Sequence, residues 1–290
     1  KFQTFVSENL LIRNTPKAEY QKELTNPAES QFDMLEKLEL NHATHRSLKR
    51  YAEEKGLLFM STAFDQDSLK FLSNDLGLNL LKIPSGELTN GPLLLEYAKT
   101  GCDLIMSTGM GTLEETRQAL SVLAFGFTDG TNPCDKSFER AFESEQGNRA
   151  LKEHVVLLHC TSEYPTPYED INLLAMDTLR KEFGLRVGYS DHSIGILVSS
   201  VAAALGAVVI EKHFTLNRNL PGPDHSSSLE LDELKNMVEN IRLVEQILGD
   251  GDKIPRGREI ENRKVARKSL VAAQEIQPDQ PFSAENVTVK

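Results

Sequence analysis

Tryptophan is absent, cysteine is scarce and there is no long apolar run. No apolar segment reaches the ~20 residues that a membrane span needs, and no signal-peptide pattern opens the chain. Membrane association is therefore not expected. The three cysteines, Cys102, Cys134 and Cys160, are odd in number and far apart. That argues against a disulfide framework and suggests reduced thiols in a cytoplasmic protein. Positive charge is also short: 32 Lys and Arg face 43 Asp and Glu, a formal net charge of −11. Such a chain offers no general surface for nucleic acid or an anionic membrane. An anionic ligand would need cations gathered locally. The remainder, 39% hydrophobic and 26% charged residues, is an ordinary soluble globular composition. For 290 residues two domains are the usual expectation, with α/β barrels of ~250 residues the known exception.

Strand-like segments lie at residues 1–5, 57–63, 78–83, 103–107, 155–160, 186–190 and 207–213. Their apolar runs are continuous instead of alternating, as in parallel sheets covered on both faces. Helical segments separate them, at 33–55, 66–75, 90–99, 113–124, 169–183, 194–205 and 230–248. Asn90 or Thr89, and Thr112, are the expected N-caps. Residues 6–30 read as a long surface loop, and 126–152 as an excursion with a short helix at 136–144. Seven strands, with one more strand–helix unit expected in front, give the eight of a closed (β/α)8 barrel. An open doubly wound sheet fits less well, because polar clusters follow nearly every strand instead of one switch point. The expected division is a barrel over 1–248, a charged Gly-rich linker over 249–267 and the start of a small second domain over 268–290.

The polar clusters carry the chemistry. Lys1 and Gln3, Ser61-Thr62, Lys82 and Ser85, Ser107-Thr108, Thr161-Ser162 with Tyr164, Ser190-Asp191-His192 and Glu211-Lys212-His213 all fall at strand C-termini. In a barrel those positions converge on one mouth, where active sites form. Three lysines and many hydroxyls there suit a small, multiply charged anion. His192 and His213 follow neighbouring strands, and each has an acid beside it. Two imidazoles with open positions suit a labile catalytic ion better than a closed structural zinc. Asp191 and Glu211 are placed to orient these ligands or balance their charge. Blander readings apply elsewhere: His159 as a packed core histidine, Cys160 as a small buried hydrophobe, His42 and His45 as members of a polar helix, and Glu87 as a first-turn helix acid.

In order and spacing, KFQTF, KIPSGELTN, MSTGMGTLEE, LLHCTSEYPTP, GYSDHSIG and EKHFTLNRNLPGPDHSSS resemble the sialic acid synthases over almost the whole chain. The resemblance implies a (β/α)8 barrel joined to a small C-terminal antifreeze-protein-like (SAF) domain. It implies condensation of phosphoenolpyruvate with an N-acetylated amino sugar and release of phosphate. N-acetylmannosamine, giving N-acetylneuraminate, is the leading substrate. Legionaminic or pseudaminic acid synthesis is the alternative. His192 and His213 match the family's metal ligands, for manganese, with magnesium or cobalt as alternatives. Lys1, Thr62, Lys82, Ser85 and Ser190 match phosphoenolpyruvate contacts. Gln3, Tyr164 and Asp224 match residues near the sugar, and Glu211 matches an acid beside the reacting carbons. Ser162 stands where the N-acetylneuraminate enzymes carry asparagine, and the 126–152 excursion is longer than the family pattern. A catalytic-site glutamate is expected upstream of Lys1. An arginine from the partner of a domain-swapped homodimer is expected beyond Lys290. Two other readings remain open: a barrel aldolase using Lys82 or Lys212 as a Schiff-base nucleophile, and a non-catalytic sugar- or anion-binding relative.

Overall fold

A computed structural model describes residues 1–18, 21–22, 25–26, 28–128 and 130–290. The chain divides into two compact units, Lys1–Ile247 and Leu248–Lys290. No helix among the described residues is long and apolar enough to cross a membrane.

The first unit is built on seven parallel strands in sequential order: β1 (Phe2–Thr4), β2 (Ser61–Ala63), β3 (Leu80–Ile83), β4 (Asp103–Ser107), β5 (Val155–Cys160), β6 (Arg186–Asp191) and β7 (Ile210–Lys212). Sequential order with every pair parallel means that each connection crosses back over the same face. The sheet is strongly curled. Six strand spacings of a flat sheet would hold β1 and β7 about 29 Å apart. Instead, Lys1 beside β1 places its Nζ 2.9 Å from Glu211 Oε2 on β7.

Curling gives the sheet two unlike faces. The outer face packs against the helices in a large core that includes Leu81, Leu104, Met106, Leu157 and Tyr189. The inner face has a small apolar floor of Ile105, Val156 and Leu158, joined by Met60, Leu80 and Val209. Strand residues alternate between faces. Residues two positions on from that floor, toward the strand C-termini, therefore also face inward: Thr62, Lys82, Ser107, Cys160 and Glu211. At Gly188 on β6 the backbone of β7 comes close enough that a Cβ would sit 2.4 Å from Val209 O.

The crossover helices follow local signals. α5 (Gly91–Lys99) starts at Asn90, whose side chain accepts from Leu93 N–H, and α6 (Leu113–Phe127) starts at a Thr112–Glu115 capping box. Both caps match the sequence expectation. The 33–55 segment is two helices, Gln31–Glu36 and His42–Glu54, because Asn41 accepts from Thr44 N–H and caps a new start. The 66–75 segment ends in a π turn at Phe71–Asp75, and the 169–183 helix is regular only over Ala175–Phe183. The 126–152 excursion is more ordered than expected. It holds helices Asp135–Glu143 and Glu145–His154, and Phe138 packs edge-on against Phe125 of α6, 5.0 Å between ring centres. His45 is not an idle surface histidine. It is fully buried, donates from Nδ1 to Asn41 O at 3.0 Å and accepts from the Thr4 hydroxyl at 2.8 Å.

In the second unit β8 (Leu270–Ala272) pairs antiparallel with β9 (Val287–Val289). The 249–267 segment is not wholly irregular, since Arg258–Ala266 is helical.

Tyr97 on α5 ties helix to sheet. Its buried hydroxyl accepts from Ala63 N–H at 3.1 Å and lies 2.7 Å from Ala63 O and 3.0 Å from Lys82 O. Tyr97→Phe strands these buried groups and is expected to destabilise the fold by about 1–3 kcal/mol. Urea unfolding tests this, and an unchanged midpoint and slope would show that the hydroxyl is dispensable.

Candidate active site

The inward residues at the C-terminal ends of the strands form one charged cluster. Glu211 on β7 is its centre. Its Oε2 pairs with Lys1 Nζ at 2.9 Å, while its Oε1 accepts from Ser190 Oγ at 3.1 Å and lies 3.9 Å from Lys82 Nζ. Lys82 is 2% exposed and donates to Ser107 Oγ at 2.7 Å and to Ile83 O at 2.9 Å. Burial drives the Lys82 ammonium down to about 8, against the raising effect of Glu211. Burial pushes Glu211 up, but Lys82, Lys1 and the hydrogen bonds outweigh it and bring the carboxyl to about 2. Glu211 is thus a carboxylate at neutral pH. Both groups are depressed, so both favour the fold at higher pH. The Glu211 contribution is complete above about pH 4.5 and is lost as pH falls towards 2. The Lys82 contribution is complete only above 10.5 and is lost as pH falls through about 8.

Beside this cluster lie the two histidines. His192 Nδ1 is 2.6 Å from Thr161 O and donates to it, which leaves Nε2 as the nitrogen with the lone pair, 3.4 Å from Ser190 Oγ. His192 and His213 have ring centres 5.3 Å apart at 78°. The Tyr164 ring packs against both, at 4.2 and 5.3 Å. Asp224 Oδ2 is 3.6 Å from His213 Nδ1. Burial lowers the pKa of His213, against the pull of Asp224, and so favours the neutral, ligating form. Among the described residues no three His, Cys, Asp or Glu are grouped to hold a metal ion. Any ion here would have the two imidazoles as its protein donors.

Thr62, opposite Lys82 in the β2–β3 register, carries a buried hydroxyl with no hydrogen-bond partner. A buried hydroxyl of this kind is costly unless an atom of a ligand or a water meets it. Gln3 lies opposite Thr62 on β1. Ser85 Oγ accepts from Gly109 N–H at 3.0 Å and lies 3.7 Å from Cys160 Sγ.

Residues at odds with the sequence reading sit mainly on the opposite parity. Lys212 and Asp191 turn outward and form a buried ion pair of 3.1 Å. Asp191 also accepts from the Ser193 amide and from the Ser193 and Ser199 hydroxyls. Asp191 therefore does not orient His192; the Thr161 carbonyl does. Lys212 is held away from the mouth and is not a Schiff-base candidate. Cys160 is more than a buried hydrophobe, because its thiol faces Ser85 and the His192 ring. Ser107 emerges as the direct partner of Lys82. Counting alternate positions along each strand would have separated these groups.

The NeuB family model matches residues 1–253. The chain is 44% identical to the N,N'-diacetyllegionaminic acid synthase of Campylobacter jejuni over 290 residues, covering 100% of this chain and 80% of that protein. It is 44% identical to the N,N'-diacetyllegionaminic acid synthase of Legionella pneumophila, covering 99% and 75%. Among solved structures it resembles the N-acetylneuraminic acid (sialic acid) synthetase of Leptospira borgpetersenii in complex with citrate. The identity is 30%, the TM-score is 0.69, and the match covers 91% of this chain and 80% of that one.

A lysine depressed by burial leaves a direct signature. The 15N resonance of the Lys82 amine is expected to titrate near pH 8, and lower still in Glu211→Gln, which removes the counter-charge. A Lys82 that stays protonated through pH 10 would contradict this electrostatic picture.

Proposed function

This chain belongs to the NeuB family, and on that basis we propose that it is a nonulosonate synthase joining phosphoenolpyruvate to an N-acetylated amino sugar. The observation that supports this reading most is one cluster: two lysines, the orphaned Thr62 hydroxyl and a buried carboxylate at the C-terminal ends of a curled parallel sheet. The legionaminic acid synthases matched at 44% favour a diacetamido sugar over N-acetylmannosamine, the leading sequence expectation. Ser162, which stands where the N-acetylneuraminate enzymes carry asparagine, agrees with that preference.

In this reading Lys82, Lys1, Thr62, Ser85 and Ser190 hold the anionic groups of phosphoenolpyruvate. Binding them gives Lys1 and Lys82 a second counter-charge beside Glu211. Tyr164, Gln3, Asp224 and Ser162 face the sugar. His192 and His213 would hold a divalent cation, manganese by expectation, because the Thr161 carbonyl fixes the tautomer that exposes His192 Nε2. That cation would supply Lewis-acid polarisation of the open-chain sugar aldehyde. The aldehyde carbon bonds to C3 of the enol, and positive charge develops at C2. Glu211, ionised and a few ångströms from both lysines, stabilises that charge. With its pKa near 2 it is a poor base, so its role is electrostatic. Water adds to C2 and gives up a proton, the alkoxide formed from the aldehyde takes one up, and phosphate leaves by C–O cleavage with its charge held by Lys82. The seven strands would belong to an eight-stranded barrel, the second unit to an antiparallel-paired SAF-type domain, and the working enzyme to a cytoplasmic domain-swapped dimer.

One observation favours the aldolase alternative: a lysine with a pKa near 8 is a usable amine nucleophile. Borohydride with pyruvate would then trap Lys82, and on the synthase reading no adduct forms.

Phosphate release from the full-length protein should be fastest with a 2,4-diacetamido sugar, slower with N-acetylmannosamine and absent with its 6-phosphate. Equal rates on all three would refute the sugar assignment. His213→Ala should abolish manganese-dependent turnover while leaving phosphoenolpyruvate binding and the melting temperature nearly unchanged. Full activity in that variant would remove the ion from the mechanism.

A further inference from the structure

Gly109 follows β4 by two residues and is buried under the mouth of the sheet. It lies in the Thr108–Gly111 turn, where Met110 takes the positive φ and Gly109 does not, so the turn does not require a glycine at 109. What it lacks is a side chain. A Cβ built on Gly109 would lie 2.5 Å from Ser162 Oγ, 2.7 Å from Ser85 Oγ and 3.1 Å from Cys160 Sγ. Three polar side chains, from the loops after β3 and β5 and from β5 itself, thus converge on the space one methyl group would fill. The Gly109 amide anchors the group by donating to Ser85 Oγ at 3.0 Å. Cys160 continues the line, with Sγ 3.7 Å from Ser85 Oγ and 3.8 Å from His192 Nδ1.

We propose that Gly109 is a positioning residue for the substrate anion: its missing side chain lets Ser85 and Ser162 close over the amide, and its N–H sets the direction of the Ser85 hydroxyl. The proposal rests on the synthase reading for the identity of the anion, phosphoenolpyruvate. The physical basis is the kind of atom that a Cβ would meet. None of the three is backbone; all are tips of short side chains that can rotate away. A methyl group at 109 is therefore tolerated by the fold, at the cost of turning Ser85 and Ser162 out of place. The same substitution at Gly188 would instead press on the Val209 carbonyl and strain the sheet. Position 109 is thus sensitive in its binding geometry and insensitive in stability, and a packing role would show the opposite.

The test is calorimetric titration of phosphoenolpyruvate into the full-length protein, with Gly109→Ala, Ser85→Ala and the double variant compared as a cycle. Gly109→Ala should weaken binding by about ten- to hundredfold, the size of one lost charge-assisted hydrogen bond. It should leave the melting temperature close to wild type. In the Ser85→Ala background it should add less than threefold, because Gly109 acts largely through Ser85. If Gly109→Ala melts early, Gly109→Ala/Ser162→Gly, which removes the nearest obstruction, takes its place in the cycle. Wild-type affinity in Gly109→Ala, or independent multiplication of the two single effects, would overturn the proposal. So would a wild-type protein that does not bind phosphoenolpyruvate. Phosphate release by the wild type judges the synthase reading separately: binding without release with any sugar would sink that reading and leave the Gly109 cycle interpretable.

Discussion

The pairing of Glu211 with Lys82 and Lys1 is the interaction on which the rest of the site depends. Two ammonium groups and one carboxylate are drawn out of water at the end of a curled sheet. Desolvation opposes the charged forms of Lys82 and Glu211, and the two lysines together with the Lys1 and Ser190 hydrogen bonds keep the carboxylate ionised. The cluster is satisfied but not saturated: Lys82 has few fixed partners, and the neighbouring Thr62 hydroxyl has none. A site with surplus positive charge and an orphan donor is preorganised for an anion, because the ligand supplies what burial removed. An acidic chain can bind an acidic substrate in this way, with its cations confined to one inner face.

The curl of the sheet makes that pairing available. β1 and β7 lie at opposite ends of the strand order, yet Lys1 and Glu211 are in contact. Parity does the sorting. Inner-face positions supply Lys82, Ser107, Cys160, Ser190 and Glu211. Outer-face neighbours such as Asp191 and Lys212 form a separate buried pair that holds the turn after β6 through Ser193 and Ser199. One residue of displacement in register would exchange the two sets. The stability of the sheet and the composition of the mouth are therefore coupled.

Much of this was legible in the sequence. Continuous apolar runs ending in polar clusters marked the strands, and Thr112 and Asn90 marked two helix starts. The pairing of His192 with His213 followed from adjacent strands. Other features depend on geometry that spacing does not carry. Adjacent residues such as Glu211 and Lys212 look alike as a motif, but face opposite sides. The partner of the His192 ring is a backbone carbonyl, which no residue type announces. His45 looked like one more polar residue of its helix, yet Thr4 and Asn41 satisfy it in the core. The helix Arg258–Ala266 lay hidden in a charged segment whose glycines suggested a linker. Gly109 carries no chemistry of its own, and only the crowding around its absent side chain draws notice.

On the proposed reading, the lysine–glutamate cluster serves a reaction in which carbon–carbon bond formation ends with water adding at C2 and phosphate leaving by C–O cleavage. Turnover in H2(18)O followed by mass spectrometry tests it most directly. One solvent oxygen is expected in the sugar acid at C2 and none in the released phosphate. Solvent oxygen in the phosphate would mean P–O cleavage, and would contradict the role assigned to Lys82 and Glu211.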